Sequence, residues 1–252
     1  MKEVISIVNR KGGVGKTATC QALGAGLALR GHKVLFVDLD SQCNLTYALG
    51  AKIAPPSAME VLTGTATAED AIQHAPGGDI IAGSPTLAGA DISIKDTGKE
   101  YRLKEALEPI SEAYDYVVVD TPAALGTLTV NALTAANSVI IPVQAEIYSL
   151  QGIGQLSQAI ESVRKYCNQD LKIEGILITR YNSRSIISRD MQSNLEEAAD
   201  QLKTRLHSTP IRECVSIKEA QAQQQDIFSY APKSNAAKDY SSLLDEFLER
   251  SK

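Results

Sequence analysis

The chain has 252 residues, of which 44% are hydrophobic and 22% charged, proportions that exclude a disordered tail, a collagen-like repeat and a disulfide miniprotein. Its 25 basic and 30 acidic side chains leave a formal charge of −5, so contact with a polyanion requires a local basic face. Cys20, Cys43, Cys167 and Cys214 form no CxxC pair, and His32, His74 and His207 stand far apart, a pattern of reduced thiols in a cytoplasmic chain without a structural metal.

Residues 4–8, apolar apart from Ser6, read as a first strand and are far too short for a signal peptide or a membrane span. A helical pattern follows over 17–30, then an apolar run at 34–37. Further along come a strand at 116–119, a helix at 128–136, and strands at 139–143 and 173–179. Short β-branched runs alternating with amphipathic stretches predict a doubly wound, mostly parallel α/β sheet with helices on both faces. The continuous apolar character of Tyr116-Val-Val-Val and Ser138-Val-Ile-Ile-Pro-Val fits strands buried on both faces. Ala54-Pro-Pro-Ser and Ala75-Pro-Gly-Gly-Asp are turn clusters, and 84–100 has too little periodicity to place an element. With no repeat, low-complexity tract or linker, residues 1–252 read as one domain.

The segment Asn9-Arg-Lys-Gly-Gly-Val-Gly-Lys-Thr17 lies between the first strand and the first helix. Its glycines let successive backbone N–H groups turn toward phosphate oxygens, Lys16 supplies a point charge, and the Thr17 hydroxyl can ligate Mg²⁺. The first of the eight usual positions is Arg10 instead of glycine, and the second is a lysine, Lys11. The next strand ends in Asp38 and Asp40; two residues apart, both would face the metal and the terminal phosphate if the strand persists through them. Asp120, ending the run 116–119, stands where a Walker B acid would hold Mg²⁺ and begin a loop that senses the γ-phosphate.

Together with Val37-Asp-Leu-Asp-Ser-Gln-Cys-Asn44, Asp120-Thr-Pro122 and the stretch from Thr129 to Gln144, the extra lysine makes the chain resemble, over nearly its whole length, the deviant Walker A ATPases of the ParA/Soj type. The resemblance implies an ATPase that binds ATP and Mg²⁺ and forms a homodimer on ATP. Lys11 would reach the partner subunit's nucleotide, while Gly12, Gly13, Val14, Gly15, Lys16, Thr17 and Ala18 hold the chain's own. Asp40 would help position the attacking water, and Thr17, Asp40 and Asp120 would serve the metal. Contacts to adenine fall to Asn182, Pro210 and Arg212. The resemblance further implies non-specific binding of double-stranded DNA by the ATP dimer, release by a ParB-type centromere-binding partner that stimulates a slow hydrolysis, and a nucleoid-associated location.

Two loops depart from the family pattern. Ser41 and Cys43 stand where proline and glycine are more usual, and Ala123-Ala124 replaces Pro-Ser; a missing glycine at position 43 removes freedom at positive φ. Candidate DNA contacts are Arg180, Arg184, Arg189, Arg212 and Lys218, in a stretch from Lys172 to Lys218 with eight basic and six acidic residues, a net of 8 − 6 = +2. The competing class is a membrane-associated positioning ATPase of the MinD type, which ends in a basic amphipathic helix. Here the final helix, 235–250, aligns Tyr240, Leu243, Leu244, Phe247 and Leu248 opposite Asp239, Asp245, Glu246 and Glu249. An acidic polar face is repelled by anionic lipid, so the apolar stripe is expected to pack on the protein's own sheet, with no membrane partner.

Overall fold

The computed structural model describes residues 1–146, 149–182 and 186–249, with the side chains of 186–190 left outside that description. In chain order the elements are β1 Glu3–Ile7, α1 Lys16–Leu29, β2 Val34–Asp38, α2 Asn44–Ala48, α3 Ala58–Thr63, α4 Ala68–Ala71, β3 Ile72–Ala75 and β4 Gly78–Ile81. They continue with α5 Ala90–Ser93, α6 Arg102–Leu107, β5 Tyr116–Asp120, α7 Thr127–Ala135, β6 Ser138–Gln144, α8 Ser149–Tyr166 and β7 Lys172–Thr179. The chain closes with α9 Ile186–Gln201, α10 Val215–Ala222, α11 Ile227–Tyr230 and α12 Asn235–Glu249.

The seven strands form one sheet in the order β3-β4-β2-β5-β1-β6-β7, parallel throughout except for β3 against β4. This is the expected doubly wound arrangement, with one addition. The cluster at 75–79 is a turn as its Pro-Gly-Gly predicts, but it joins a hairpin whose two four-residue strands are too short and mixed to show a periodicity. The unplaced stretch 84–100 holds only single turns, Pro85–Gly89, Ala90–Ser93 and Lys99–Tyr101.

Alternation along each central strand divides the core. Ile5, Ile7, Phe36, Tyr116 and Val118 face α1 and α12, while Leu35, Val37, Val117 and Val119 face α3, α6 and α7. A third cluster seats α8, through Ile153, Leu156, Ile160 and Val163, on β6 and β7. On α12 the stripe Tyr240, Leu243, Leu244 and Phe247 is buried against α1 and the sheet, as expected. Two glycines of α1 make the close approach possible: a Cβ at Gly24 would lie 2.2 Å from the Phe36 ring, and one at Gly26 2.0 Å from Leu244. Because β1, β2, β5, β6 and β7 are parallel, their carboxyl ends open along one edge, where ligands bind in such sheets.

Candidate nucleotide site

Between β1 and α1 the chain turns through Gly13 (φ +76°) and Gly15 (φ +86°), a conformation that strains any residue with a Cβ. Gly15 caps α1 without a side-chain bond, so the first amides of a 14-residue helix remain available to an anion together with the positive end of its dipole. Side chains of the loop itself and of the distant strands β6 and β7 pin it in place. Asn9 donates to the Pro142 carbonyl (2.6 Å) and accepts from the Lys11 amide (2.9 Å). Gln144 donates to the Gly13 carbonyl at 2.9 Å, and the Thr179 hydroxyl donates to the Val14 carbonyl at 2.7 Å. Gln144 and Thr179 belong to no phosphate-binding motif; their one signal in the sequence is a polar residue closing a run of apolar ones.

At the foot of the loop the Thr17 hydroxyl donates to Asp120 Oδ2 at 2.7 Å. Asp120 is fully buried, and its Oδ1 has no hydrogen-bond partner among the described residues. Burial, with the Asp38 carboxylate nearby, pushes its carboxyl up to about 8 against the opposing pull of Thr17 and Lys16. A buried carboxylate oxygen without a donor, beside a hydroxyl, fits a divalent cation, which would restore the charged form. Lys16 is nearly buried and bends its Nζ back to the Lys11 carbonyl (3.2 Å); burial lowers its pKa while Asp120 and Asp40 raise it. Lys11 instead turns outward and pairs with Glu146 of its own chain.

The two aspartates after β2 part company. The strand ends at Asp38, and the two carboxylates do not share a face. Asp38 is wholly buried and accepts from the Thr46 amide (2.9 Å), the Thr46 hydroxyl (2.7 Å) and the Asp40 amide (3.0 Å), so it fixes the start of α2 and does not line the site. Burial raises its pKa to about 6. Asp40, half-buried, lines the cavity. The residue between this loop and α2 is Cys43, at φ +53°, so the left-handed position is present and a non-glycine residue occupies it. Burial and the neighbouring Asp38 and Asp40 push the Cys43 thiol up to about 11, which disfavours the thiolate.

The loop opens onto a cavity of about 680 Å³, within the range of nucleotide-sized pockets. Gly12, Gly13, Gly15, Lys16, Thr17, Ala18, Asp40 and Ala123 line it, and the segment after β7 adds Arg180, Ile211, Arg212, Cys214, Ile217 and Lys218. Val14 is buried and serves through its carbonyl, while Asn182 and Pro210 are not among the lining residues. Three of the five candidate DNA contacts, Arg180, Arg212 and Lys218, line the cavity, and Arg180 and Lys218 are exposed at its rim. Arg180 pairs with Glu213 (3.0 Å) and Arg212 with Asp239. Arg184 and the side chain of Arg189 lie outside the described residues.

The acidic side of α12 is divided: Asp245 and Glu249 are exposed, whereas Asp239 is buried and Glu246 half-buried. Asp245 pairs with Arg30, and Asp239, 5% exposed, accepts from both the side chain and the amide of Arg212. Glu246 accepts from the Ser208 hydroxyl (2.5 Å), the Thr209 hydroxyl (2.7 Å) and the Ser208 amide (3.2 Å). Burial alone would raise its pKa, but these bonds and His207 hold it well below the usual carboxylate range. The helix thus fastens the 207–212 segment, which forms one wall of the cavity.

An anion cradle at the end of the central strand, facing a metal-ready carboxylate on the neighbouring one, defines a P-loop nucleotide-binding protein. Comparison narrows this class. The AAA domain family model AAA_31 matches residues 2–173. The sporulation initiation inhibitor protein Soj of Bacillus subtilis is 40% identical with 98% of each chain covered, and the chromosome partitioning protein ParA of Myxococcus xanthus is 35% identical over 98% of this chain and 88% of that protein. Among solved structures, cobyrinic acid a,c-diamide synthase from Mycobacterium smegmatis, with bound ATP analogue and magnesium, superposes with a TM-score of 0.86 at 35% identity, covering 98% of this chain and 95% of that one. The chain belongs to the ParA/Soj family of partition ATPases, within the ParA/MinD superfamily.

Proposed function

We propose that this protein, a single functional unit over 1–252, hydrolyses ATP with Mg²⁺ and works in DNA partition as an ATP-dependent homodimer. The observation that carries the proposal is the Thr17–Asp120 pair with its unpartnered carboxylate oxygen beneath the loop. Loop amides and Lys16 hold the β and γ phosphates, Thr17 and Asp120 serve the metal, and Asp40, half-buried at the cavity wall, orients the attacking water. Lys11, held by Glu146 within one subunit, exchanges that exposed and weak pairing for the phosphates of the second subunit's nucleotide. Hydrolysis is slow until a ParB-type partner binds. Asp40→Ala is expected to keep ATP binding and accumulate the dimer; a monomeric variant in excess Mg·ATP would count against this assignment.

Non-specific duplex DNA is the surface on which the ATP dimer acts, in the nucleoid. Against the MinD reading stands α12, whose apolar stripe is already buried against α1, and among the described residues no helix is long and apolar enough to cross a membrane. The test is binding to duplex DNA and to anionic liposomes, with Mg·ATP and with ADP, at two salt concentrations. ATP-dependent DNA binding that weakens steeply with salt is the expected result. ATP-dependent liposome binding without DNA binding would transfer the protein to the MinD class.

A further inference from the structure

The loop that follows Asp120 enters α7 without a cap of its own. Its last residue, Gly126, stands at the N-cap position and has no side chain with which to satisfy the first amides of the helix. The acceptor comes from another segment: Asp91 Oδ1 takes the Thr127 amide at 2.8 Å, across 36 positions of sequence. The contact depends on glycine, since a Cβ at position 126 would lie 2.9 Å from Asp91 Oδ2 and 3.0 Å from Oδ1. Hydrogen bonds from the Thr127 hydroxyl and amide hold the Asp91 carboxyl below the usual carboxylate range, so a negative charge faces the positive end of the helix. The segment that carries Asp91 is fixed in turn. The Gly83 amide donates to the Thr46 hydroxyl at 2.8 Å, and Leu87, Ala90 and Ile94 are buried in one core cluster with Leu128 and Ala132 of α7.

Between Asp120 and this cap the chain is held at two further points. The Thr121 hydroxyl donates to the Ile7 carbonyl at 2.8 Å, and the Thr129 hydroxyl donates to the Ala124 carbonyl at 2.6 Å. Thr129 belongs to the first turn of α7, so the second bond holds only while that turn is wound. Ala123, next to it, lines the cavity with Lys16, Thr17 and Asp40. We infer that Asp91 is a positioning residue for ATP hydrolysis: by capping α7 from outside the site it keeps the first turn wound, and with it the loop 122–126 against the nucleotide cavity. This inference rests on the ATPase reading given above. Without the cap the turn frays, the Ala124 carbonyl loses its donor, and only a fraction of molecules keeps Ala123 in place, which lowers turnover by that fraction. The phosphate loop, pinned by Asn9, Gln144 and Thr179, takes no part in the change.

The experiment compares wild type with Asp91→Ala, Asp91→Asn, Gly126→Ala and the double variant Asp91→Ala/Gly126→Ala, with thermal melts to verify folding. It measures kcat and KM for Mg·ATP hydrolysis, the affinity for Mg·ADP, and hydrogen–deuterium exchange of the nucleotide-free protein. Asp91→Ala removes the acceptor. Gly126→Ala, compatible with the φ of −104° at that residue, pushes the carboxylate off Thr127 and covers the case of an unfolded Asp91→Ala. Each of these two is expected to lower kcat about fivefold, the scale of a lost helix cap, with KM and Mg·ADP affinity changed less than about twofold and faster exchange confined to residues 121–130. Asparagine caps a helix about as well as aspartate, so Asp91→Asn should recover most of the turnover. In the double variant no carboxylate remains for the methyl to displace, and the loss should not exceed that of Asp91→Ala alone. Unchanged kcat or unchanged exchange in both alanine variants, an Asp91→Asn as slow as Asp91→Ala, an equal loss of Mg·ADP affinity, or losses that multiply in the double would each overturn the inference while leaving the ATPase reading intact. A wild type that hydrolyses no ATP would overturn both.

Discussion

Replacing Thr179 with valine isolates the contribution of one hydroxyl to the phosphate loop. The side chain is 2% exposed, donates to the Val14 carbonyl at 2.7 Å and lies 3.1 Å from the Val143 carbonyl. Valine has nearly the same volume and shape, so packing against Gly15, whose added Cβ would meet the Thr179 Cγ2 at 3.7 Å, is preserved while the Val14 carbonyl loses its donor. An unsatisfied buried acceptor costs about 1–3 kcal/mol. Val14 lies between two left-handed glycines, the most pliable stretch of the loop, so the freed peptide is expected to rotate and carry the Gly15 amide away from the phosphates. A cost of about 2 kcal/mol appearing wholly in binding weakens Mg·ATP roughly 30-fold. The same cost appearing wholly in folding lowers the melting temperature by about 4–8 °C. Titration calorimetry with Mg·ATP, paired with a thermal melt, separates the two; the expected division is a five- to thirtyfold loss of affinity with a melting shift under about 4 °C. Thr179→Ser, which restores the donor, should recover most of the affinity. Wild-type affinity in Thr179→Val, or equal damage in Thr179→Ser, would refute the account.

Two further outcomes follow from packing and charge. Gly24→Ala drives a methyl to within 2.2 Å of the Phe36 ring, which is itself 1% exposed; overpacking of about 1–3 kcal/mol outweighs the gain of up to about 1 kcal/mol in helix propensity, and urea denaturation should show a net loss. A midpoint equal to or above that of wild type would show that α1 and β2 can separate freely. Glu246 has a folded pKa depressed below its unfolded value near 4.3, so its charged form adds stability that is complete above that value and disappears as the pH falls through the folded one. The stability gap between wild type and Glu246→Gln should therefore be widest near pH 7 and shrink below about pH 4.5, and a gap constant from pH 7 to pH 3 would remove Glu246 from this role.

Much of the site was legible in short strings of residues because the phosphate loop is a local device. Its glycines answer to the φ of their own residues, Lys16 and Thr17 follow within two positions of Gly15, and Asp120 is marked by the apolar strand that it ends. The parallel sheet was equally legible, since strands buried on both faces must be apolar at every position. Cys43 belongs here too: a missing glycine was visible in sequence, and the left-handed backbone it bears is observed at φ +53°.

Contacts that cross the chain were settled only by the fold. Thr179 meets Val14 across 165 positions and Arg212 meets Asp239 across 27, and no periodicity in either segment encodes such a meeting. The aspartates after β2 show the same limit over two residues, because the strand's end at Asp38 turned one carboxylate into the core and left the other at the cavity. On α12, amphipathic spacing identified the buried stripe, yet it could not separate the exposed Asp245 and Glu249 from Asp239 and Glu246, which another segment engages. A helical pattern records which side chains leave solvent for a hydrophobic core; it carries no record of a charged partner brought from another segment, and that partner is what holds Asp239 and Glu246 against the wall of the nucleotide cavity.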